Sequence, residues 1–329
     1  MKQPRPTELW AWWLAVAWLA LVVLVALCAD FLPLSYPAAT PDLYAITQPP
    51  FAGPHWLGTD PLGRDVLAGL IFGARTACLV SAPAGLAAAV IGTILGSAAG
   101  YWGNQRLKLP AGLAFLLVGL LLFWGCFTGP GPWFLSWLVV VGLALVAAAR
   151  LMRLSERVAP QPLPLDTIVL SLLALLTSVP QLVLALAIAA VWPPSLSTLV
   201  AVLTFTYWPV TAQLVRADMR RIRQLPYMEA ARAIGLPTWQ IMGRHAFPLL
   251  WKTIRVTLPL SLATLIGLET TVSFLGVGLP LETASWGRTL ATARLDFTAW
   301  WLIVFPACAI LLTTLALRQL PFYPFGKSS

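Results

Sequence analysis

The sequence predicts an all-α protein, a polytopic bundle of about eight transmembrane helices, and three observations predict it. Hydrophobic residues make up 59% of the chain and charged residues only 10%, with a mean hydropathy of +0.82. An average soluble domain is roughly 25% charged. Apolar runs of roughly 20 residues recur along the chain, each long enough for a hydrocarbon core about 30 Å thick. These runs are continuous and do not alternate, which excludes a transmembrane β-barrel. The net charge of +9 does not point to nucleic acid, because the basic residues flank the apolar runs, as the positive-inside rule requires.

The elements follow in order. The first span covers about Leu9 to Leu32, behind Lys2 and Arg5. It is too long for a cleaved signal peptide and lacks a clear A-x-A site, so it is read as an uncleaved helix. Pro33 to Arg75 is polar and Pro-rich, and is expected to fold on the outer side; residues 1–75 form the first unit. The second span, about Thr76 to Tyr101 within the unit 76–104, carries Gly92, Gly96 and Gly100. That four-residue spacing makes a face for close helix packing. Residues 105–164 then form an additional hairpin. Its apolar runs, Ala111 to Thr128 and Trp133 to Ala149, are joined by Gly129-Pro130-Gly131-Pro132, a tight turn.

Residues 165–329 form the remaining core. A span of about Leu165 to Trp192 contains Pro180, where a kink is expected. Asp166 is read as a cap at its start. Another span, Leu196 to Val215, leads to the cluster Arg216, Arg220, Arg221 and Arg223, expected to lie against anionic lipid. A polar loop over 217–252 follows, then spans of about Thr253 to Val277 and Thr298 to Leu317, separated by polar Gly278 to Phe297. With the N-terminus in the cytoplasm, only Arg64, Arg75, Arg288 and Arg294 of the 21 Lys and Arg fall outside. Both termini are therefore expected in the cytoplasm, and so is the loop 217–252.

Enzyme chemistry has no visible carrier. Gly326-Lys327-Ser328 imitates the end of a Walker A loop, but Pro321 stands where its first glycine belongs. There is no HExxH motif, and the four cysteines (Cys28, Cys78, Cys126, Cys308) lie in or beside apolar runs without a CxxC. They read as small core residues. The topology puts His55 and His245 on opposite sides of the membrane. No catalytic residue, cofactor or metal site is expected.

Within the polar loop, Tyr227 to Pro248 has its own start and stop. Pro226 suits a first helical position, Glu229-Ala230-Ala231 follows, and Gly235 is placed to end the helix. A second short helical run, Thr238 to Phe247, is expected to end at Pro248. Glu229-Ala230-Ala231, Gly235 and His245-Ala246-Phe247-Pro248 resemble the "EAA" coupling loop of bacterial ABC importer permeases. His55-Trp56-Leu57-Gly58-Thr59-Asp60, Gly63-Arg64-Asp65-Val66 and Gly73-Ala74-Arg75 resemble the segment between the first two helices of dipeptide/oligopeptide/nickel permeases of the C-subunit type. Glu269, Ser273 to Gly278 and Ser285-Trp286-Gly287 are similar to the same family near its fifth helix. Three blocks in order cover most of the chain. It departs from the family in two places. The hairpin 105–164 adds to a six-span core, and the C-terminus lacks the usual Gly-Asp…Arg-Asp…Asp-Pro ending.

The resemblance implies the permease subunit of a type I ABC importer, a multi-pass protein of the bacterial inner membrane and no enzyme itself. It would form a path for peptides or related solutes, such as nickel chelates, with a second permease subunit. Two ABC ATPase subunits and an external solute-binding protein would complete the complex in the lipid bilayer. Glu229, Ala230, Ala231 and Gly235 would face the ATPase. Glu269 and Pro180 are assigned a structural or gating role. Asp60, Arg64 and Asp65 are assigned to local ion pairs in an external loop, as structure or as binding-protein contact. The alternative is an ion-coupled secondary transporter using Glu269, the acidic residue well inside an apolar span, although no inverted repeat is visible. A membrane scaffold docking through the extra hairpin is a further alternative.

Overall fold

A computed structural model describes residues 6–32, 40–104, 164–280 and 282–322, and among them every regular element is a helix. The two spans expected over 111–128 and 133–149 lie outside the described residues. Among the described residues, five helices are long and apolar enough to cross a membrane, or six if a bent pair counts as one span.

Helix α1 covers Pro6–Cys28 and α2 covers Val66–Trp102. The latter begins before the expected Thr76, because Asp65 supplies an N-cap. Its Oδ2 accepts the Ala68 N–H at 2.9 Å, which satisfies a donor that the first turn leaves free. Arg75 does not stop the helix; its guanidinium reaches Asp30 at 2.6 Å, beyond the end of α1. At 37 residues, α2 is about 55 Å long.

The expected kink at Pro180 is a corner. Helices α3 (Leu165–Ser178) and α4 (Gln181–Val191) meet at 83°. Val179, in front of the proline, is extended at φ −98° and ψ 133°. The ring clash that disfavours helical backbone before proline accounts for this. Helix α5 (Leu196–Arg223) starts at the N-cap Ser195, whose Oγ accepts the Thr198 N–H at 3.0 Å. It runs on past Val215 through the basic cluster. Helix α6 covers Pro226–Ala233.

The break expected at Pro248 is absent. Helix α7 is continuous over Thr238–Phe274, with Ile241–Ala246 wound as a π-helix in front of Phe247 and Pro248. A wider turn accommodates a residue that has no N–H and a bulky ring. The segment read only as polar, Gly278 to Phe297, contains α8 (Trp286–Thr292), capped by Ser285. Helix α9 covers Trp301–Gln319.

The most extensive contact is between α2 and α5. Gly92, Gly96 and Gly100 lie against Thr211, Ala212 and Met219 of α5, so the small-residue stripe serves packing as its spacing predicts. Val80, Ala84, Leu199, Leu203, Trp208 and Leu265 fill the main core. This packing fixes the ends of α2, α5 and α7, and the polar sites lie at those ends.

Candidate functional site

One polar site forms where α5 ends and α6 begins. Leu225 is extended at φ −70° and ψ 139° in front of Pro226, which redirects the chain before α6. Met228 and Ala231, three residues apart and so on one helical face, are buried against Met219, Ile222, Ile241 and Leu250. The other face is exposed: Glu229, Ala230 and Ala233 lie there, with Ile234 at 75% and Trp239 at 70% just beyond. Gly235 then adopts φ +78°. Its N–H donates to the Arg232 carbonyl at 3.0 Å, and the Leu236 N–H donates to the Ala231 carbonyl at 3.2 Å. These are the closing bonds of a helix that ends on a left-handed residue. No atom lies within 4 Å of a Cβ built on Gly235, so backbone conformation, not space, demands glycine here.

Of the four residues expected to face an ATPase, Glu229, Ala230 and Gly235 are on the open side. Ala231 is not: it is 5% exposed and belongs to this chain's own core. A rotation of about 100° per residue on a helix puts successive alanines on different faces, a distinction the bare triplet hides. Arg232 fixes α6 to its neighbour. Its Nε donates to the Met228 carbonyl at 3.0 Å and its Nη2 to the Arg223 carbonyl, on the last turn of α5, at 2.9 Å.

A second polar group sits nearby on α3. Asp166 is not the cap expected; Pro164 occupies the N-cap position and makes no side-chain bond. The Asp166 carboxylate is buried and accepts from Arg216 Nε at 2.5 Å, Arg216 Nη2 at 2.9 Å and Arg220 Nη2 at 2.5 Å. Arg223 donates to the Tyr101 carbonyl at 3.0 Å. Three of the arginines assigned to the lipid surface are thus engaged within the protein. A lone aspartate at the head of an apolar run, opposite arginines at i and i+4 on a later helix, was the available signal.

The block resembling the external loop forms a knot at the other end of α2. The ion pairs expected among Asp60, Arg64 and Asp65 are replaced by backbone bonds. Asp60 Oδ1 accepts the N–H groups of Leu62 at 2.9 Å and Arg64 at 2.8 Å. Burial pushes the Asp60 carboxyl above its usual range, and those two bonds work against the rise. Asp65 caps α2 with one oxygen, while the other lies 3.1 Å from His55 Nδ1. His55 Nε2 is 3.6 Å from Asp42 Oδ2. The buried imidazole, which sequence reasoning gave no role, therefore lies between two carboxylates. Trp301 Nε1 donates to the Thr59 carbonyl at 3.0 Å, Trp286 Nε1 to the Leu70 carbonyl at 2.9 Å and Thr76 Oγ1 to the Ala284 carbonyl at 2.7 Å. The two sequence blocks around residues 55–75 and 269–287 thus meet. A shallow cleft between them is lined by Asp60, Arg64, Glu282 and Arg288.

Glu269 lies near this end of α7 and is 1% exposed. Its Oε1 accepts the Ser273 hydroxyl at 2.8 Å, and Thr270 Oγ1 lies 3.5 Å from Oε2. About 33 Å of helix separates it from Phe247, at 1.5 Å per residue. The structure therefore brings Glu229, Ala230 and Gly235 together, and Asp60 and Asp65 together, but keeps Glu269 and Pro180 apart from the first group. His55 and His245 lie at opposite ends.

The family model for "Binding-protein-dependent transport system inner membrane component" matches residues 159–320. A protein of Brucella suis named as a peptide transport system permease is 30% identical over 302 residues, covering 91% of this chain and 81% of its own. The oligopeptide transport system permease protein OppC of Bacillus subtilis is 27% identical over 304 residues, covering 91% and 80%. The dipeptide transport system permease protein DppC of the same organism is 27% identical over 275 residues, covering 83% and 67%.

Proposed function

Because the chain belongs to the binding-protein-dependent transport system inner membrane components, as an ABC importer permease, we propose that the exposed face of α6 is the surface through which ATPase subunits drive it. The observation that carries this reading is the combination of exposure and rigidity. Glu229, Ala230, Ile234 and Trp239 stand clear of the chain, while Arg232, Met228 and Ala231 fasten α6 to α5 and α7. Alanine allows close approach, and Gly235 sets the direction of the chain leaving the helix. A push on α6 therefore reaches the long helices without being lost in a loose loop.

The complex comprises this chain, a second permease subunit, two ABC ATPase subunits and an external solute-binding protein. The distribution of Lys and Arg supports both termini and α6 on the cytoplasmic side. The solutes are peptides or related molecules; the peptide names of the relatives favour these over nickel chelates. Pro180 and Glu269 have gating or structural roles. Asp60 and Asp65, whose oxygens are occupied by backbone N–H groups and His55, shape the external knot, and Arg64 lines its cleft. The ion-coupled alternative is not favoured. Hydroxyls of its own helix hold the Glu269 carboxylate, and ABC importers draw on ATP.

Purification of the tagged chain in mild detergent, with mass spectrometry of what accompanies it, tests the assembly. An ABC ATPase and a second permease are expected. A complex without any ABC ATPase would overturn the reading.

A further inference from the structure

Helix α3 joins the main core through Val169 and Leu173, with Leu165 and Leu176 packed against it, and α4 joins it through Ala185. The buried residues of α3 are Asp166, Val169 and Leu173, and those of α4 are Ala185 and Ala189. Polar bonds add to this at the head of α3. Asp166 receives the two-pronged Arg216 and the single bond from Arg220. Next to it, the Thr167 N–H donates to Asn104 Oδ1 at 3.0 Å, and Asn104 Nδ2 donates to Thr167 Oγ1 at 2.9 Å. Asn104 directly follows α2. The same end of α5 is tied to α2 through Arg223 and Tyr101, and to α6 through the Arg223 carbonyl and Arg232. Side-chain hydrogen bonds thus fasten α6 to the last turn of α5, and the preceding turns of α5 to α3, with the rigid α5 helix between them.

A guanidinium held by both oxygens of a carboxylate fixes direction as well as distance. The Asp166 side chain is 4% exposed and that of Arg216 is 13% exposed, so solvent screens the pair weakly. Beyond the clamp, α3 and α4 meet at their 83° corner, where Val179 and Pro180 make no helical turn. A shift of α5 therefore moves the head of α3 through Asp166, and the corner at Val179 and Pro180 is where the α3–α4 pair can bend in response.

We infer that Asp166 is a positioning residue for transport, carrying displacement of α6 through Arg216 and Arg220 of α5 into the broken helix pair α3–α4. The inference rests on the reading of α6 as the coupling helix, and the test separates the two. The full importer complex, in a cysteine-free background, carries spin labels at the exposed positions Val183 on α4 and Leu79 on α2. Pulsed electron resonance measures their separation before and after Mg2+–ATP with vanadate. The ATP-driven change is expected to fall at least fivefold in Asp166→Asn and about twofold in Arg220→Gln, where the Arg216 pair persists. Asp166→Glu, which keeps the charge, is expected to restore most of it. A merely structural role would alter the resting distance and leave the ATP-driven change intact.

A full ATP-driven change in Asp166→Asn overturns the inference. If that variant fails to assemble, Arg220→Gln decides, and an undiminished change there overturns it equally. Glu229→Arg is measured alongside. Loss in both Glu229→Arg and Asp166→Asn supports the whole route. Loss in Glu229→Arg alone keeps α6 and rejects Asp166. Loss in Asp166→Asn alone keeps Asp166 and rejects α6 as its input.

Discussion

Gly96 and Ala212 meet backbone to backbone: a Cβ built on Gly96 would stand 2.5 Å from the Ala212 carbonyl oxygen and 3.1 Å from its Cα. No side-chain rotation relieves such a contact, so α2 and α5 must separate to admit a methyl group. Gly96→Ala is expected to lower stability by about 1–3 kcal/mol. Gly267→Ala is the control, because Gly267 lies within α7 with no atom inside 4 Å of an added Cβ. It is expected to be neutral or to stabilise by up to about 1 kcal/mol, the helix-propensity difference between the residues. Thermal unfolding of the purified chain in detergent compares them, and equal losses would reject the packing role of the stripe.

The two central alanines of α6 should separate by assay. Ala231 is buried and Ala230 exposed. Ala231→Leu overfills the junction with Met219 and Ile241 and is expected to lower the melting temperature of the chain alone. Ala230→Leu should leave that temperature unchanged and weaken capture of the ATPase. Loss of ATPase capture in neither variant would remove α6 from the docking surface.

Gly235→Pro is expected to uncouple transport without loss of membrane insertion. Proline is confined near φ −65°, whereas Gly235 sits at +78°. The Gly235 N–H bond to Arg232 is lost as well. Glu229→Arg should uncouple by another route, by reversing an exposed charge. In proteoliposomes the ratio of ATP hydrolysed to solute taken up should rise about tenfold or more in each. An unchanged ratio in either would contradict the coupling role.

Much of this arrangement is legible in the sequence because membrane solvent makes few demands and makes them strongly. Apolar length marks the spans, glycine spacing marks the α2–α5 seam, and Pro226 and Gly235 bracket α6. What escapes is decided by partners distant in the chain. Asp166 reads as a cap until Arg216 and Arg220 are brought to it. His55 has no visible role until Asp42 and Asp65 flank it. Pro248 reads as a stop, since local rules do not foresee that a π-turn absorbs it. Ala231 reads as surface because the triplet carries no record of which face the core takes.

The knot around Asp60 should respond to acid. Its carboxyl is raised above the ordinary value of 3.8 by burial. A group whose folded pKa is raised contributes stability that is complete below the unfolded value and is lost as pH rises through the folded one. At neutral pH the buried charge therefore weakens the knot. Asp60→Asn retains an Oδ1 able to accept from Leu62 and Arg64 while removing the charge. The variant is expected to melt at the same or a higher temperature at pH 7, with the difference shrinking as pH falls through the raised folded value and gone below the ordinary 3.8. A variant less stable at pH 7 than the parent would mean that the charge itself is needed there.

Glu269 distinguishes the two energy sources most directly. The carboxylate is buried, and its Oε1 accepts the Ser273 hydroxyl within α7. Glutamine keeps the size and the carbonyl acceptor but carries no proton or charge to exchange. Alanine leaves a void and strips the Ser273 hydroxyl of its partner. A structural or gating residue therefore predicts that Glu269→Gln keeps uptake within about fivefold, while Glu269→Ala loses much more and unfolds about 1–3 kcal/mol more readily. An ion-coupling residue predicts the opposite order of sensitivity, with Glu269→Gln as inactive as Glu269→Ala. It also predicts collapse of uptake when an ionophore dissipates the gradient. Proteoliposomes containing the complete complex and internal ATP permit both measurements on one preparation. Uptake that survives the ionophore, and survives Glu269→Gln, places the carboxylate in the scaffold of the path and leaves ATP as the drive.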